Sequence, residues 1–316
     1  MKPRKPFFSL PRQWSLAHRR GLRTFDAWPA AVRGMVWMVL GGVLFSVMNA
    51  ISRQLSLQLD DQLVLFLRYL FGLLVILPWV ARQGWRSYKP VNMVGQFWRG
   101  GVHTLGCVLW FAALPHMPLA DTTAIGFTGP IFIMLGAAWF LGEPMRRDRW
   151  IAAFIGFAGV MVVVLPKMSG DGGWFNLVML ASSPVFAASF LITKALTRYE
   201  KPGVIVLWQA LTVTLLSAPM AWFHWQMPTP LQWLAFAATG VLGTVAHYCL
   251  TRAFALSDIS ATQSLRFLDL VWASLLGWLM FGDVPSQSTW LGAFVILWAT
   301  VWIARRESRR KITVPD

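Results

Sequence analysis

Two stretches of this chain, 140 residues apart, share one pattern: ALPHMPLADTTAIGFTGPIFIMLGAAWFLGE at 113–143 and AFALSDISATQSLRFLDLVWASLLGWLMFGD at 253–283. Both are largely apolar, and both end in Gly followed by an acidic residue. The register continues beyond them, since a Trp, an Ala and a Phe recur at the same spacing after each copy. The chain therefore contains an internal repeat. The identical pairs within the quoted stretches are Ala113 and Ala253, Thr122 and Thr262, Phe127 and Phe267, Leu135 and Leu275, and Gly142 and Gly282.

The composition is typical of a membrane protein. Of the 316 residues, 56% are hydrophobic and 13% are charged, whereas a soluble domain carries about 25% charged residues. A helix that crosses a bilayer needs about 20 apolar residues, and blocks of that length recur along the whole chain. The sequence predicts ten spans, near residues 34–54, 62–80, 97–114, 119–141, 149–166, 175–195, 203–224, 231–252, 260–281 and 288–304.

The positive charges predict the orientation of these spans. With both termini in the cytoplasm, all but four of the 28 Lys and Arg residues fall in cytoplasmic segments or at cytoplasmic helix ends, as the positive-inside rule requires. Arg99 is one of these cytoplasmic residues. Arg53 and Lys167 lie outside, and Arg68 and Arg266 lie within spans. We therefore expect a multi-pass protein of a bacterial inner membrane. This distribution explains the net charge of +15 with membrane lipids as partners and without nucleic acid.

Each half of the chain holds five predicted spans. Because five is odd, the halves insert in opposite directions, which is the inverted repeat of many secondary transporters, with the site between the halves near the middle of the bilayer. The predicted organisation is a basic cytoplasmic tail at 1–33, a first repeat at 34–166, a linker at 167–174, a second repeat at 175–304 and a basic tail at 305–316.

The repeated stretch resembles a known family. Residues 113–143 are similar to the signature of the EamA branch of the drug/metabolite transporter superfamily, with an Ala-Leu turn, a small and polar helix start, Pro130 within the helix and Gly-Glu at its end. FLRYLFGLLVILP at 66–78 also resembles the second helix of that family. The resemblance covers about 33–304 in two copies. The second copy departs from it where Leu270 replaces the proline and Asp283 replaces the glutamate.

The resemblance implies an all-α bundle of ten helices around a central cavity, working by alternating access on a small metabolite. Family substrates include amino acids and their derivatives, opine-like metal-binding compounds, riboflavin and S-adenosylmethionine. We expect export of a polar or zwitterionic metabolite, with import of riboflavin or S-adenosylmethionine as the alternative.

Two full charges stand inside the ninth predicted span. A charge at the bilayer centre costs about 2.5–3.5 kcal/mol on insertion scales. Arg266 and Asp269 are three residues apart, so a helix places them on one face, where they can pair. One interpretation is a buried ion pair that sets helix register; the other is a site for a zwitterionic or anionic substrate. The first copy has Gly126 and Gly129 at these positions, which favours a role in specificity.

Other polar or aromatic residues within spans are candidates for substrate binding. For each one the alternative is a hydrogen bond to a neighbouring helix without any contact to substrate. The histidine at 247 also suits a proton-coupled step, because imidazole titrates near neutral pH. These candidates are His247, Tyr248, His103, Trp110, Asn49 and Thr128.

A further set is expected to be structural or to gate the cavity. Glu143 and Asp283 are expected to pair with loop arginines such as Arg146 or Arg147. Lys194 is expected to reach the lipid headgroups. Pro130 is expected to bend the fourth span in its middle, and Arg68 either reaches the outer surface or takes part in gating or binding.

The sequence lacks the motifs expected of other functional classes of membrane protein. The chain has no GxxxxGK[ST] loop for a nucleotide. It has no GxSxG motif or paired intramembrane carboxylates for an intramembrane enzyme, and Cys107 and Cys249 stand alone within apolar segments. A receptor or scaffold needs neither an inverted repeat nor intramembrane charges, and a channel needs a filter loop or a continuous polar face. We expect a transporter without catalytic residues, cofactor or metal.

Overall fold

The structure, a computed structural model, describes residues 25, 27–113, 116, 125–167, 173–281 and 286–308. Most of the two tails and Asp283 lie outside these residues. Throughout the described ranges the regular elements are helical. The principal ones are α1 (Ala30–Ser56), α2 (Asp61–Gln83), α3 (Met93–Ala113), α4 (Gly129–Leu141), α5 (Arg147–Val164), α6 (Trp174–Leu196), α7 (Pro202–Phe223), α8 (Pro230–Leu256), α9 (Leu268–Phe281) and α10 (Gln287–Ser308).

Six of these helices are long and apolar enough to cross a membrane: α1, α2, α6, α7, α8 and α10. The helix α4 is apolar but shorter. In α3 the polar side chains of Gln96, Arg99 and His103 lower the hydropathy, and all three are buried against other helices. Many apolar side chains on the outer helix faces are exposed, as in Leu74, Leu215 and others, which is expected where lipid covers them. The chain is a multi-pass membrane protein.

The packing of the helices follows the sequence repeat. Counting five helices on from each helix of the first half gives its counterpart in the second. The contact of α1 with α8 matches that of α6 with α3, and the contact of α8 with α2 matches that of α3 with α7. The contact of α9 with α1 matches that of α4 with α6, while α2 packs on α7 and α5 packs on α10. The two halves are thus related as by an internal two-fold axis.

The repeated stretch contains a break in both copies. In the first, a turn at Phe127 and Thr128 precedes α4, so Pro130 lies in the first turn of that helix. The prediction that Pro130 bends the middle of a helix was wrong. In the second, a short helix Ile259–Thr262 passes into a 3-10 segment, Gln263–Phe267, before α9 begins. The predicted continuous span at 260–281 is therefore interrupted.

Side-chain chemistry explains why the second copy breaks without a proline. The carbonyl oxygen of Ile259 accepts hydrogen bonds from Thr262 Oγ1 (2.7 Å) and Gln263 Nε2 (2.8 Å). Short polar side chains that bond nearby carbonyls offer the backbone an alternative to the regular helical ladder. In the first copy Thr128 Oγ1 bonds the carbonyl of Ile125 in the same way (2.6 Å). The halves therefore both break here, by related means, although only one has the proline.

Close helix contacts depend on glycine where α2 crosses α8. A Cβ built on Gly240 would lie 2.7 Å from the backbone carbonyl carbon of Phe71 and 2.9 Å from the nitrogen of Gly72. Small residues let helices in a membrane approach closely. This crossing brings the polar residues of α2 and α8 within reach of one another.

Candidate functional site

Two histidines from different halves of the chain meet around one tyrosine. Tyr69 of α2 places its hydroxyl 2.8 Å from Nε2 of His103 on α3 and 3.5 Å from Nε2 of His247 on α8. The two imidazole rings stand 5.6 Å apart, centre to centre. All three side chains are buried. Of the binding candidates predicted from sequence, the structure brings His103 and His247 together and adds Tyr69, which the sequence analysis did not single out.

Aromatic rings enclose these three residues. Phe45 of α1 meets His247 edge to face at 4.9 Å, and Phe186 of α6 meets His103 at 5.4 Å. On its other side, His103 Nδ1 lies 3.2 Å from the hydroxyl of Ser189. We call Phe45, Tyr69, His103, Phe186 and His247 the ring cluster. Its members come from α1, α2, α3, α6 and α8, so it lies at the interface between the two repeats.

A buried arginine lies one helical turn before His103. Arg99, which the charge distribution assigned to the cytoplasmic side, lies in the second turn of α3 with no solvent exposure. Its guanidinium donates to Thr193 Oγ1, to Gln209 Oε1 (2.6 Å) and to the carbonyl of Ile205 (3.4 Å). Arg99 was not among the predicted site residues, because the positive-inside rule assigned it only to a side of the membrane. The helical spacing of Gln96, Arg99 and His103, which puts all three on one face of α3, would have indicated that it is buried.

A small cavity of about 20 Å³, room for about one water molecule, opens beside the ring cluster, between α2, α7 and α8. Arg68 lines it, with its guanidinium carbon 5.0 Å from the centre of the Tyr69 ring. Its position favours the binding or gating alternative over a position at the outer surface. The remaining lining residues are Tyr69, Gly72, Val206, Gln209, Ala210, Thr239, Gly240, Gly243, Thr244 and His247.

The charged pair of the ninth predicted span lies on another side of the ring cluster. Arg266 Nε is 4.0 Å from Asp269 Oδ2, and each side chain keeps 27% of its surface exposed. Arg266 also stands over the ring of Phe190, 5.2 Å from its centre, and that ring in turn meets His103 at 6.4 Å. Asp269 approaches α1 so closely that a Cβ on Gly42 would lie 2.4 Å from its Oδ1. The two charges form an ion pair at a long distance, and both side chains remain partly accessible to a ligand.

The other binding candidates do not join the ring cluster. Tyr248 is 37% exposed and meets Trp37 edge to face, away from His247. Asn49 is exposed on α1, and Thr128 bonds its own turn. Trp110 packs at the margin, against the apolar group that contains Tyr69 and Phe111.

Charged residues predicted to gate or support the site hold the segment between α8 and α9. Glu143 accepts hydrogen bonds from the backbone nitrogens of Ile259 (2.8 Å) and Ser260 (3.0 Å) and from the Ser260 hydroxyl (2.5 Å). The expectation that Glu143 pairs with Arg146 or Arg147 was wrong. It caps the short helix Ile259–Thr262, whose first N–H groups otherwise lack partners.

Two further cations act on the same segment. Arg149 bonds Asp258 Oδ2 (2.9 Å) and the Ser260 hydroxyl (2.8 Å). Lys194 does not extend to lipid headgroups as predicted; its Nζ donates to the carbonyls of Phe254 and Ser257, at 2.7 Å each. These carbonyls belong to the end of α8, where helical carbonyls lack partners and a positive charge is favourable. Within the described part of the chain, no group of three His, Cys, Asp or Glu side chains is arranged for a metal.

Comparison with known proteins agrees with the architecture. The model of the EamA-like transporter family matches twice, at residues 32–165 and 173–305. A riboflavin transporter of Rhizobium johnstonii is 36% identical over 284 residues, covering 89% of this chain and 94% of that protein. A solved crystal structure at 20% identity superposes with a TM-score of 0.75, over 89% of this chain and 99% of its own, which shows the shared fold.

Other relatives carry different substrate names. An S-adenosylmethionine uptake transporter of Rickettsia prowazekii is 27% identical over 90% of this chain and 96% of its own. A pseudopaline exporter of Pseudomonas aeruginosa is 28% identical over 86% of this chain and 96% of its own. All are metabolite transporters and none is described as an enzyme. The chain therefore belongs to the EamA-like transporter family of the drug/metabolite transporter superfamily, and it transports a small metabolite.

Proposed function

We propose that this protein imports riboflavin, or a flat heteroaromatic metabolite of the same kind, by alternating access. The observation that carries the proposal is the ring cluster, a set of five aromatic and imidazole rings at the interface of the repeats, of which Tyr69 and His247 line the small cavity. Flat ligand rings pack favourably on aromatic side chains in offset or edge-to-face geometry. The Rhizobium relative named as a riboflavin transporter supports this substrate.

The test is transport by the purified protein in liposomes. Riboflavin is fluorescent, so its entry into washed vesicles can be followed directly. We expect uptake that saturates with riboflavin concentration and is lost in His247→Leu. Vesicles loaded with riboflavin should release it by the same route, since a secondary carrier without coupling runs down either gradient. Flux no greater than that of empty liposomes would rule the proposal out.

The second candidate is export of a zwitterionic or opine-like metabolite. It is favoured by Arg266 and Asp269, which present both charges at 27% exposure next to the ring cluster, and by the pseudopaline exporter among the relatives. Metabolites should be profiled in cells and medium of a deletion strain carrying either wild type or Arg266→Ala/Asp269→Ala. Accumulation of a charged metabolite that only wild type relieves would support export. Full rescue by a well-expressed double variant would leave the pair a purely structural ion pair.

We further propose ten spans in a bacterial inner membrane, with both termini cytoplasmic and repeats at 34–166 and 175–304. The charge distribution supports this topology. Single cysteines placed at the exposed residues Ser87 and Gln58 provide a test in intact cells. A reagent that does not cross the membrane should label position 58 and not position 87. The reverse pattern would invert the topology.

A further inference from the structure

A buried amide in the cavity wall has a fixed orientation and an unused donor. Gln209 of α7 is 1% exposed. Because Arg99 donates to its oxygen at 2.6 Å, the amide nitrogen must face the other way. That nitrogen, Nε2, is buried and finds no hydrogen-bond partner among the described residues. A buried polar group without a partner costs about 1–3 kcal/mol, so an unpaired amide in a cavity wall indicates a ligand group that pairs with it.

His247 lines the same cavity and has a second unused polar atom. Its Nδ1 is buried and also unpartnered among the described residues. Its ring belongs to a chain of polar contacts. Among the described residues the Ser189 hydroxyl has no other acceptor, so it donates to His103 Nδ1. A neutral imidazole carries one hydrogen; His103 therefore donates from Nε2 to the Tyr69 oxygen.

The Tyr69 hydroxyl, which also bonds the thiol of Cys107, lies 2.8 Å from His103 Nε2 and 3.5 Å from His247 Nε2. In the tautomer with its hydrogen on Nδ1, His247 is a further donor. Arg68 lines the same cavity and has only donors. Among the described residues no carboxylate forms an ion pair with Arg68 or Arg99, so this part of the site carries excess positive charge.

We infer that Gln209, His247 and Arg68 form a donor subsite that binds carbonyl or carboxylate oxygens of the transported molecule. The inference rests on the proposed function for the location of the substrate and deepens it, because it specifies which atoms of the substrate enter the cavity. For a flavin these are the two carbonyl oxygens of its pyrimidine ring. The subsite disfavours a ligand that presents a fixed cation, such as a sulfonium, because the cation would meet uncompensated positive charge.

Binding to the full-length protein in lipid nanodiscs tests this inference. Calorimetry is run with riboflavin, with alanopine as a dicarboxylate opine without a guanidinium, and with S-adenosylmethionine. Gln209→Glu keeps an oxygen for Arg99 while it removes the donor, and Gln209→Leu removes the whole amide. Gln96→Leu is the matched control, since Gln96 is equally buried with an unpartnered amide but does not line the cavity. Thermal unfolding of each variant verifies its fold.

We expect the wild type to bind riboflavin, and Gln209→Glu and Gln209→Leu to weaken binding about tenfold or more, with Gln96→Leu within about twofold. If riboflavin fails to bind but alanopine binds with the same dependence on Gln209, the subsite stands and the proposed substrate is wrong. If riboflavin binds equally to wild type and both folded Gln209 variants, the subsite is refuted and the proposed function survives. Preferred binding of S-adenosylmethionine, or no binding of any of the three compounds, would overturn both.

Discussion

Removal of the Glu143 carboxylate should loosen the connection between α8 and α9. Glu143 follows α4 and caps a helix that lies in the other repeat, through two backbone nitrogens and one hydroxyl of Ile259 and Ser260. In Glu143→Ala these donors lose their acceptor. In Glu143→Gln one amide oxygen remains to accept one N–H, while the amide nitrogen faces another donor.

The magnitude follows from the contacts. Hydrogen bonds to a charged group contribute about 1.5–3 kcal/mol each, and loss of a helix N-cap costs about 0.5–2 kcal/mol. Glu143 keeps 9% exposure, so water reaches part of the vacated site and offsets some of the loss. We expect Glu143→Ala to lower the free energy of unfolding by about 2–4 kcal/mol and Glu143→Gln by about half of that.

The assay is thermal unfolding in detergent at a fixed scan rate, followed by tryptophan fluorescence. At about 2–4 °C per kcal/mol for chains of 150–250 residues, Glu143→Ala should melt roughly 4–16 °C lower. Gln226→Ala, at an exposed loop residue, should not change the melting temperature. An ion pair with Arg146 or Arg147 would instead give equal losses for the Ala and Gln variants, since both remove the charge. Equal losses, or no loss in the Ala variant, would refute the capping argument.

Two comparisons probe the site itself. Gly42→Ala should reduce the transport rate severalfold, because the added Cβ would lie 2.4 Å from Asp269 Oδ1 and overpacking of this kind costs about 1–3 kcal/mol. The control is Gly101→Ala, where a Cβ meets nothing within 4 Å; it should transport normally. His247→Leu should abolish riboflavin flux while Tyr248→Leu, whose ring lies outside the ring cluster, should retain most of it. Comparable losses in Tyr248→Leu would restore the sequence-based assignment of that tyrosine to the site.

The apolar blocks and their repeated pattern in the sequence determined that this is a membrane protein with two equivalent halves. Apolar blocks of bilayer length must form spans because an unpaired backbone is too costly in lipid, so the membrane class follows from composition. The 140-residue register between the two quoted stretches predicted equivalent halves, and the helix contacts show them. The intramembrane histidines at 103 and 247 were also recognisable, since a polar side chain within an apolar block needs an internal partner.

Partners across the bundle were decided by tertiary structure. The sequence placed Arg99 by the positive-inside rule, but that rule concerns which side a charge lies on, whereas the packing of α3, α6 and α7 determines that it is buried. It paired Glu143 with neighbouring arginines and extended Lys194 to lipid, because nearby residues are the partners that a linear pattern shows. Both in fact bond backbone groups of the α8–α9 connection, which lie 116 and 117 residues from Glu143 and 60 and 63 residues from Lys194. Backbone donors and acceptors at helix ends carry no mark in the sequence, so only the folded arrangement reveals which side chain satisfies them.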